Sequence, residues 1–282
     1  MATTAKRALP SDMRQILLVT RYDIYKHLRS RRLLGLLIVE VLLLVLILAL
    51  PPLLGSEYNK NPDGFLSSFT NANTINLLIV IGATLFAGDA IVSEYQNRTG
   101  YLIFPNPVKK SVLFAGKFLA STIIVGGAVL IWYGVGMISG VAVTGSVTLL
   151  AFYSLLLALL YSVACIGVGF FLSALMKGST GALVFTFMLL FMILPIVDTT
   201  VGAVGGVKPD VSLTFAGGAI NNIMQTPYPV DSSQTLPIGP GQNLTLYTFY
   251  PDVTVAVLVM LGYGLVFGAL TMVLFKRREM VG

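Results

Sequence analysis

Six apolar stretches, at about 33–54, 75–92, 111–139, 147–172, 181–204 and 252–275, each approach or exceed the ~20 residues that cross about 30 Å of hydrocarbon. Lipid offers no partners to backbone N–H and C=O groups, so such a stretch must satisfy them internally, as a helix. A chain of 282 residues carrying six of them has little room for another architecture. The expectation is an all-α polytopic membrane protein with six transmembrane helices. A mean hydropathy of +0.86 and a charged fraction of 11% exclude an ordinary soluble domain, where about 25% of residues are charged.

Basic residues sort the connections into two sets. Sixteen of the 18 Lys and Arg residues fall in the N-terminal segment, in 93–117, at Lys177 and at Lys276, Arg277 and Arg278, leaving Lys60 and Lys208 for the other side. The positive-inside rule assigns the rich side, with both termini, to the cytosol. The net charge of +6 is then a topology signal that also attracts anionic lipid heads, and it requires no nucleic-acid partner. No cleavable signal peptide is expected, because the first apolar run starts only at Leu33, behind a long basic segment. The single Cys165 excludes an intramolecular disulfide, and with His27 as the sole histidine no metal or haem site is expected.

Residues 1–32 read as a cytosolic N-terminus, and 33–282 as the six-helix transmembrane domain. Within the first, Ser11 or Asp12 can cap an amphipathic elbow helix that lies in the membrane interface, with Met13, Ile16, Leu17, Ile24 and Leu28 near helical spacing. It is either a basic topology anchor or also a dock for a cytosolic partner, with His27 structural. Glu40 is the odd residue of the first span. A carboxylate at membrane depth marks either a pathway or a paired charge, here with Arg31 or Arg32.

The outer connections differ in length. Residues 55–74 read as a polar loop, and "GVAVTGS" as a short turn. The outer loop 205–251, between the fifth and sixth helices, is too long to be structureless without a function. Its "VSLTFAGGAINNIMQT" fits a short amphipathic or re-entrant helix, and the Pro-rich remainder reads as turns. Asn243-Leu244-Thr245 is a glycosylation sequon on that side. Gly136/Gly140 and Gly264/Gly268 permit close helix approach, expected within one subunit.

No phosphate-binding loop is present. Gly116-Lys117 is followed by Phe118, and Ser111 stands where the earlier glycine is needed. The chain is expected not to be an enzyme and to hold no cofactor of its own. "GPGQN" at 239–243 is a turn on the outer side. With His27 outside the spans, neither an intramembrane metalloprotease nor a serine protease is supported.

The polar island "SEYQNRTGYLIFPNPVKKSVLFAGK", 93–117, interrupts this apolar background. Thr99-Gly100 is a helix stop, "YLIF" presents four large apolar residues outside the span, and Pro105 and Pro107 prevent a continued regular helix. An apolar knob between charged arms is either a protein-docking surface or an interfacial loop with its aromatics in the headgroups.

In these residues the chain resembles the permease subunits of type-2 ABC transporters. The likeness rests on Glu94, Thr99-Gly100, Leu102, Phe104, Pro107, Lys109/Lys110 and Gly116-Lys117, and it extends to the elbow helix, six spans, long last outer loop and "FKRRE" tail. Two departures are Thr-Gly for the usual Gly-Thr, and Lys where Arg is common. The resemblance implies a separate cytosolic ABC ATPase, holding ATP-Mg, that docks on a coupling loop at 93–111 through a coupling helix at about Ser93 to Phe104. Tyr101, Leu102, Ile103 and Phe104 would form the centre of that dock, with Glu94, Arg98 and Lys109 as its polar rim. It further implies a second permease copy, as a homodimer or a paired permease, and substrate movement, with export expected, across a prokaryotic cell membrane.

Two other functions are open to such a chain. A mechanical transmitter would pass ATP-driven motion through 205–251 to an outer protein. A stand-alone channel or secondary carrier would prefer charges at mid-membrane, whereas Glu40, Asp89 and Asp198 read as lying toward helix ends.

Overall fold

The computed structural model describes residues 11–96, 109–239 and 242–277. Six of its helical segments are long and apolar enough to cross a membrane. The chain is an all-α, multi-pass membrane protein.

Helix α1, Asp12–Leu28, is followed by α2, Arg31–Leu53, the first span. Ser30 caps α2, its hydroxyl accepting from Leu33 N at 3.3 Å. Leu36, Glu40 and Leu44 form the one buried stripe of α2, four residues apart, and the rest of the helix turns Leu, Ile and Val outward. That inversion, apolar outside, is what lipid as the solvent permits.

The 55–74 connection is not a plain loop. It holds α3, Pro62–Phe69, started by the Asn61 cap and Pro62 at the first turn. Phe65, Leu66 and Phe69 of α3 are buried, and the indole N–H of Trp132 donates to Phe69 O at 3.0 Å. The second span follows as α4, Ala72–Ala87, then breaks at 88–91 and resumes as the five-residue α5, Val92–Gln96.

The third span, α6, runs Lys110–Thr144, 35 residues, and ends on Gly145, whose φ of +80° closes the helix in the left-handed conformation. The fourth, α7, Leu149–Leu175, is the centre of the bundle and packs on α4, on α6 and on the last helix. The fifth span covers Ser179–Val204. It consists of α8, Ser179–Met188, a π-helical turn at Leu189–Ile193, α9, Leu194–Thr199, and a second π turn at Thr200–Val204. Pro195 has no N–H to give, and the wider π turn before it makes room for its ring.

The 205–251 connection tucks back into the bundle as α10, Leu213–Gly217, and α11, Ala219–Asn222. Leu213, Ala216, Ala219 and Ile220 are fully buried, and Ser154 of α7 donates to Ile220 O at 2.6 Å. Beyond them the chain does not form only turns. Strands β1, Ser232–Gly239, and β2, Gln242–Thr248, pair antiparallel from Ser232 with Thr248 inward. The last span, α12, is Val253–Arg277. It meets α7 backbone to backbone, since a Cβ on Gly167 would lie 3.4 Å from Gly264 Cα. On α6, Gly136 and Gly140 face Phe69 and Leu66 of α3. Gly136, Gly140 and Gly264 therefore serve contacts within one chain, as the sequence suggests, whereas Gly268 faces open space.

Candidate functional site

The break in the second span organises the end of the bundle that carries most of the basic residues. Ending α4 leaves carbonyls without partners, and starting α5 leaves amides without them. Three helices supply the missing groups. Arg32 of α2 donates to Leu85 O at 3.0 Å, and Ser121 of α6 to Phe86 O at 2.9 Å. Ser173 of α7, fully buried, accepts from Ile91 N at 2.9 Å and Val92 N at 3.1 Å. The remaining fork of Arg32 closes on Asp89, with N–O distances of 2.8 and 2.7 Å, a bidentate pair on the broken turn itself.

One turn further on, α5 places Glu94 against α6 and α1. Lys117 Nζ lies 2.8 Å from Glu94 Oε1 and 3.3 Å from Asp23 Oδ2, and all three side chains are nearly buried. Lys26 approaches Glu94 at 3.9 Å from the exposed side. The approach of α1 depends on the residue before Lys117. A Cβ on Gly116 would stand 2.6 Å from Val19, and Thr20 Oγ1 bonds Gly116 O at 3.2 Å. Gly116 thus lets α1 come close, and Lys117 ties it to the second span.

His27 completes this face, edge-on to Phe86 at 5.0 Å. Burial, with Lys26, Lys117 and Arg32 nearby, pushes its imidazole down to about 4 against the opposing pull of Asp23. It is a neutral, packed histidine, in keeping with the structural role read for it. The outward face of α1 carries Met13, Leu17, Tyr22 and Leu28 beside Arg14 and Arg21. That surface suits the headgroup region.

Around these contacts lies a polar cavity of about 410 Å³, lined by both ion pairs, His27 and Ser179. Five elements grip α5 in all. Besides Ser173, Lys117 and Lys26, Gln96 accepts from Ser179 N at 2.8 Å, and Tyr95 stands edge-on to Phe275 of α12 at 6.2 Å. The return of the chain is also fastened: Lys109 pairs with Asp12 at 2.6 Å, and Lys110 donates to Lys276 O at 3.3 Å.

The residues singled out from sequence are distributed as follows. Glu94 and Lys109 flank the connection; Glu94 is turned inward, 9% exposed, rather than toward a rim, whereas Lys109 is exposed. Arg98, Tyr101, Leu102, Ile103 and Phe104 lie outside the described residues. Glu40 is remote from this site. It is the tenth residue of the 23 in α2, not near a helix end, and is 1% exposed, with no partner for either carboxyl oxygen among the described residues. Arg32, a candidate partner for it, is committed to Asp89. Asp23, Ser173 and the Arg32–Asp89 pair escaped the sequence reading. Lys117 was visible only as part of Gly-Lys, because its partners lie 23 and 94 residues away.

No curated protein matches the chain. A family model described as "ABC-2 family transporter protein" matches residues 17–280. That span takes in the docked α1, the broken second span and all five other crossings, which is nearly everything described above. A partner ATPase subunit is implied by such a membership, and the family is a membrane transport component. With six crossings, an elbow helix and a broken second span held by its neighbours, the chain belongs to the ABC-2 transporter family as a permease subunit.

Proposed function

We propose that this permease receives the motion of a cytosolic ABC ATPase on its 93–111 connection and converts it into export of a substrate. The basic end then faces the cytosol, with both termini. ATP-Mg stays on the ATPase, and two copies of the permease form a homodimer around the path. The observation that supports this reading is the grip on α5. A push on the segment that follows it reaches α1 and α6 through Lys117, α7 through Ser173 and the fifth span through Ser179. Tyr101, Leu102, Ile103 and Phe104 supply the apolar centre of the dock, and Arg98 and Lys109 its charged rim, which orients more than it binds.

The experiment is co-purification in mild detergent with the ABC ATPase encoded beside the permease. Wild type should capture the ATPase, and a Tyr101→Ala/Phe104→Ala variant should lose it while keeping its own elution volume. Capture that survives the double variant removes the dock from this segment, and no capture by wild type removes the coupling altogether. Phe104→Asp should further leave ATP hydrolysis unstimulated by the permease.

A second reading is favoured by the exposed hairpin β1–β2, which stands on the end opposite the dock. In it, the same motion is delivered to an outer protein, and little or no substrate crosses.

A further inference from the structure

At the end opposite the coupling site, a cavity of about 460 Å³ lies among α4, α7, the fifth span, α10 and the residues that lead into α12. Two acceptors stand out in its polar lining, which also includes Asn222, Thr199 and Tyr250. Asn76 of α4 has a buried side-chain oxygen that meets no donor. Asp198 of α9 receives the hydroxyls of Ser212, at 2.8 Å, and Thr214, both on Oδ2. Among the described residues no cation pairs with Asp198. The nearest basic residue in sequence, Lys208, is held by Asp231 at 3.0 Å. The lining therefore offers hydrogen-bond acceptors and a negative charge with nothing to neutralise it.

Much of the remaining wall is aromatic, with Tyr161, Phe191, Phe215 and Phe249 beside the aliphatic Leu77, Val80 and Leu190. Ring faces carry negative potential and attract cations. Asp198 also sits between the two π turns of the fifth span, and the first of them contributes Leu190 and Phe191 to the wall. Besides making room for Pro195, such turns are frequent at functional sites. A half-buried carboxylate, an orphaned amide oxygen and a ring of aromatics share one preference.

We infer that this cavity binds an organic ammonium ion with an apolar or aromatic body, its charge against Asp198 and one N–H donated to Asn76. The N–H requirement distinguishes primary and secondary ammonium ions from quaternary ones, which have no proton to give. The inference rests on the permease reading only in taking the bound cation as cargo.

The test is a fluorescence titration of the purified full chain in nanodiscs with dansylcadaverine, a primary ammonium on an aromatic body. Saturable binding is expected, weakened about tenfold or more by Asp198→Asn, which keeps the shape and removes the charge. N-pentyl dansylamide, which has no ammonium, should bind about tenfold more weakly to wild type. Asn76→Leu, which removes the unpartnered oxygen, should weaken dansylcadaverine several-fold. Equal binding of the two dansyl compounds, or binding indifferent to both substitutions, would make the cavity a lipid-tail pocket and overturn the inference. So would the lack of saturable binding up to about 1 mM. The titration uses no ATPase, so its failure leaves the coupling reading standing, and failed ATPase capture leaves the titration standing.

Discussion

At the basic end, the carboxylates of Asp23, Asp89 and Glu94 are buried against Lys117, Arg32 and Lys26, each oriented by a neighbouring helix. At the opposite end, among the described residues, Asp198 meets only hydroxyls, and the ion pairs Lys208–Asp231 and Lys60–Glu57 are partly or largely exposed. The first arrangement uses its charges up on one another and ties α1, α2 and α6 to the broken second span. The second holds its shape through buried apolar helices and leaves acceptor capacity facing a cavity. A receiver of force needs the former, and a surface that must exchange occupants needs the latter.

The sharpest way to break this contrast is Lys117→Ala. It leaves Asp23 and Glu94 facing one another with only the exposed Lys26 nearby and should cost about 3–5 kcal/mol in detergent unfolding; a loss below about 1 kcal/mol would mean that water or Lys26 replaces the ammonium and the pair fixes nothing. Ser173→Ala comes next, at about 1–3 kcal/mol, since two amides lose their shared acceptor. Hydrogen exchange should show the effect first at Ile91 and Val92. His27 gives a pH signature confined to the same end. Its folded value, about 4, is below the ordinary 6.5, so the stability it supports is intact above pH 6.5 and lost as pH falls toward 4. Amide exchange in α1 should quicken across that window and become flat in His27→Phe. The smallest effect belongs to the other end: Lys208→Ala should change stability by about 0–1 kcal/mol. A larger change there would show that the hairpin base is locked by charge after all, and the contrast would fail.

The six crossings were legible because apolar runs of that length admit one solution in lipid. What escaped was built from short or distant signals. Phe65, Leu66 and Phe69 form a helical face, and Asn61-Pro62-Asp63 is a good start signal, but both are hidden among Asn and Ser residues of a short connection. In β1–β2, Pro237 and the Gly-Pro-Gly at 239–241 read as turns, and the alternation of Leu244, Leu246 and Thr248 was too brief to outweigh them. The interruption of the second span at Gly88 and Asp89 falls inside a continuous apolar run. Its partners Arg32, Ser121 and Ser173 come from three other helices, which no local pattern reveals. The same holds for the cavity residues Asn76 and Asp198, 122 positions apart. Glu40 is the reverse case: its oddity is plain in sequence, and the pairing expected for it is absent because Arg32 is taken.

At 1.5 Å per residue, the 35 residues of α6 make a rod about 52 Å long, against about 30 Å of hydrocarbon. More than a third of it stands clear of the oily layer. The eighth residue, Lys117, and the clamp on α1 at Gly116 are both near its tip. Such a rod is a lever. Tilting it by about 10° about its far end would displace the tip by about 9 Å. Small rotations at the far end and large excursions at the basic end are then the same movement measured at two radii.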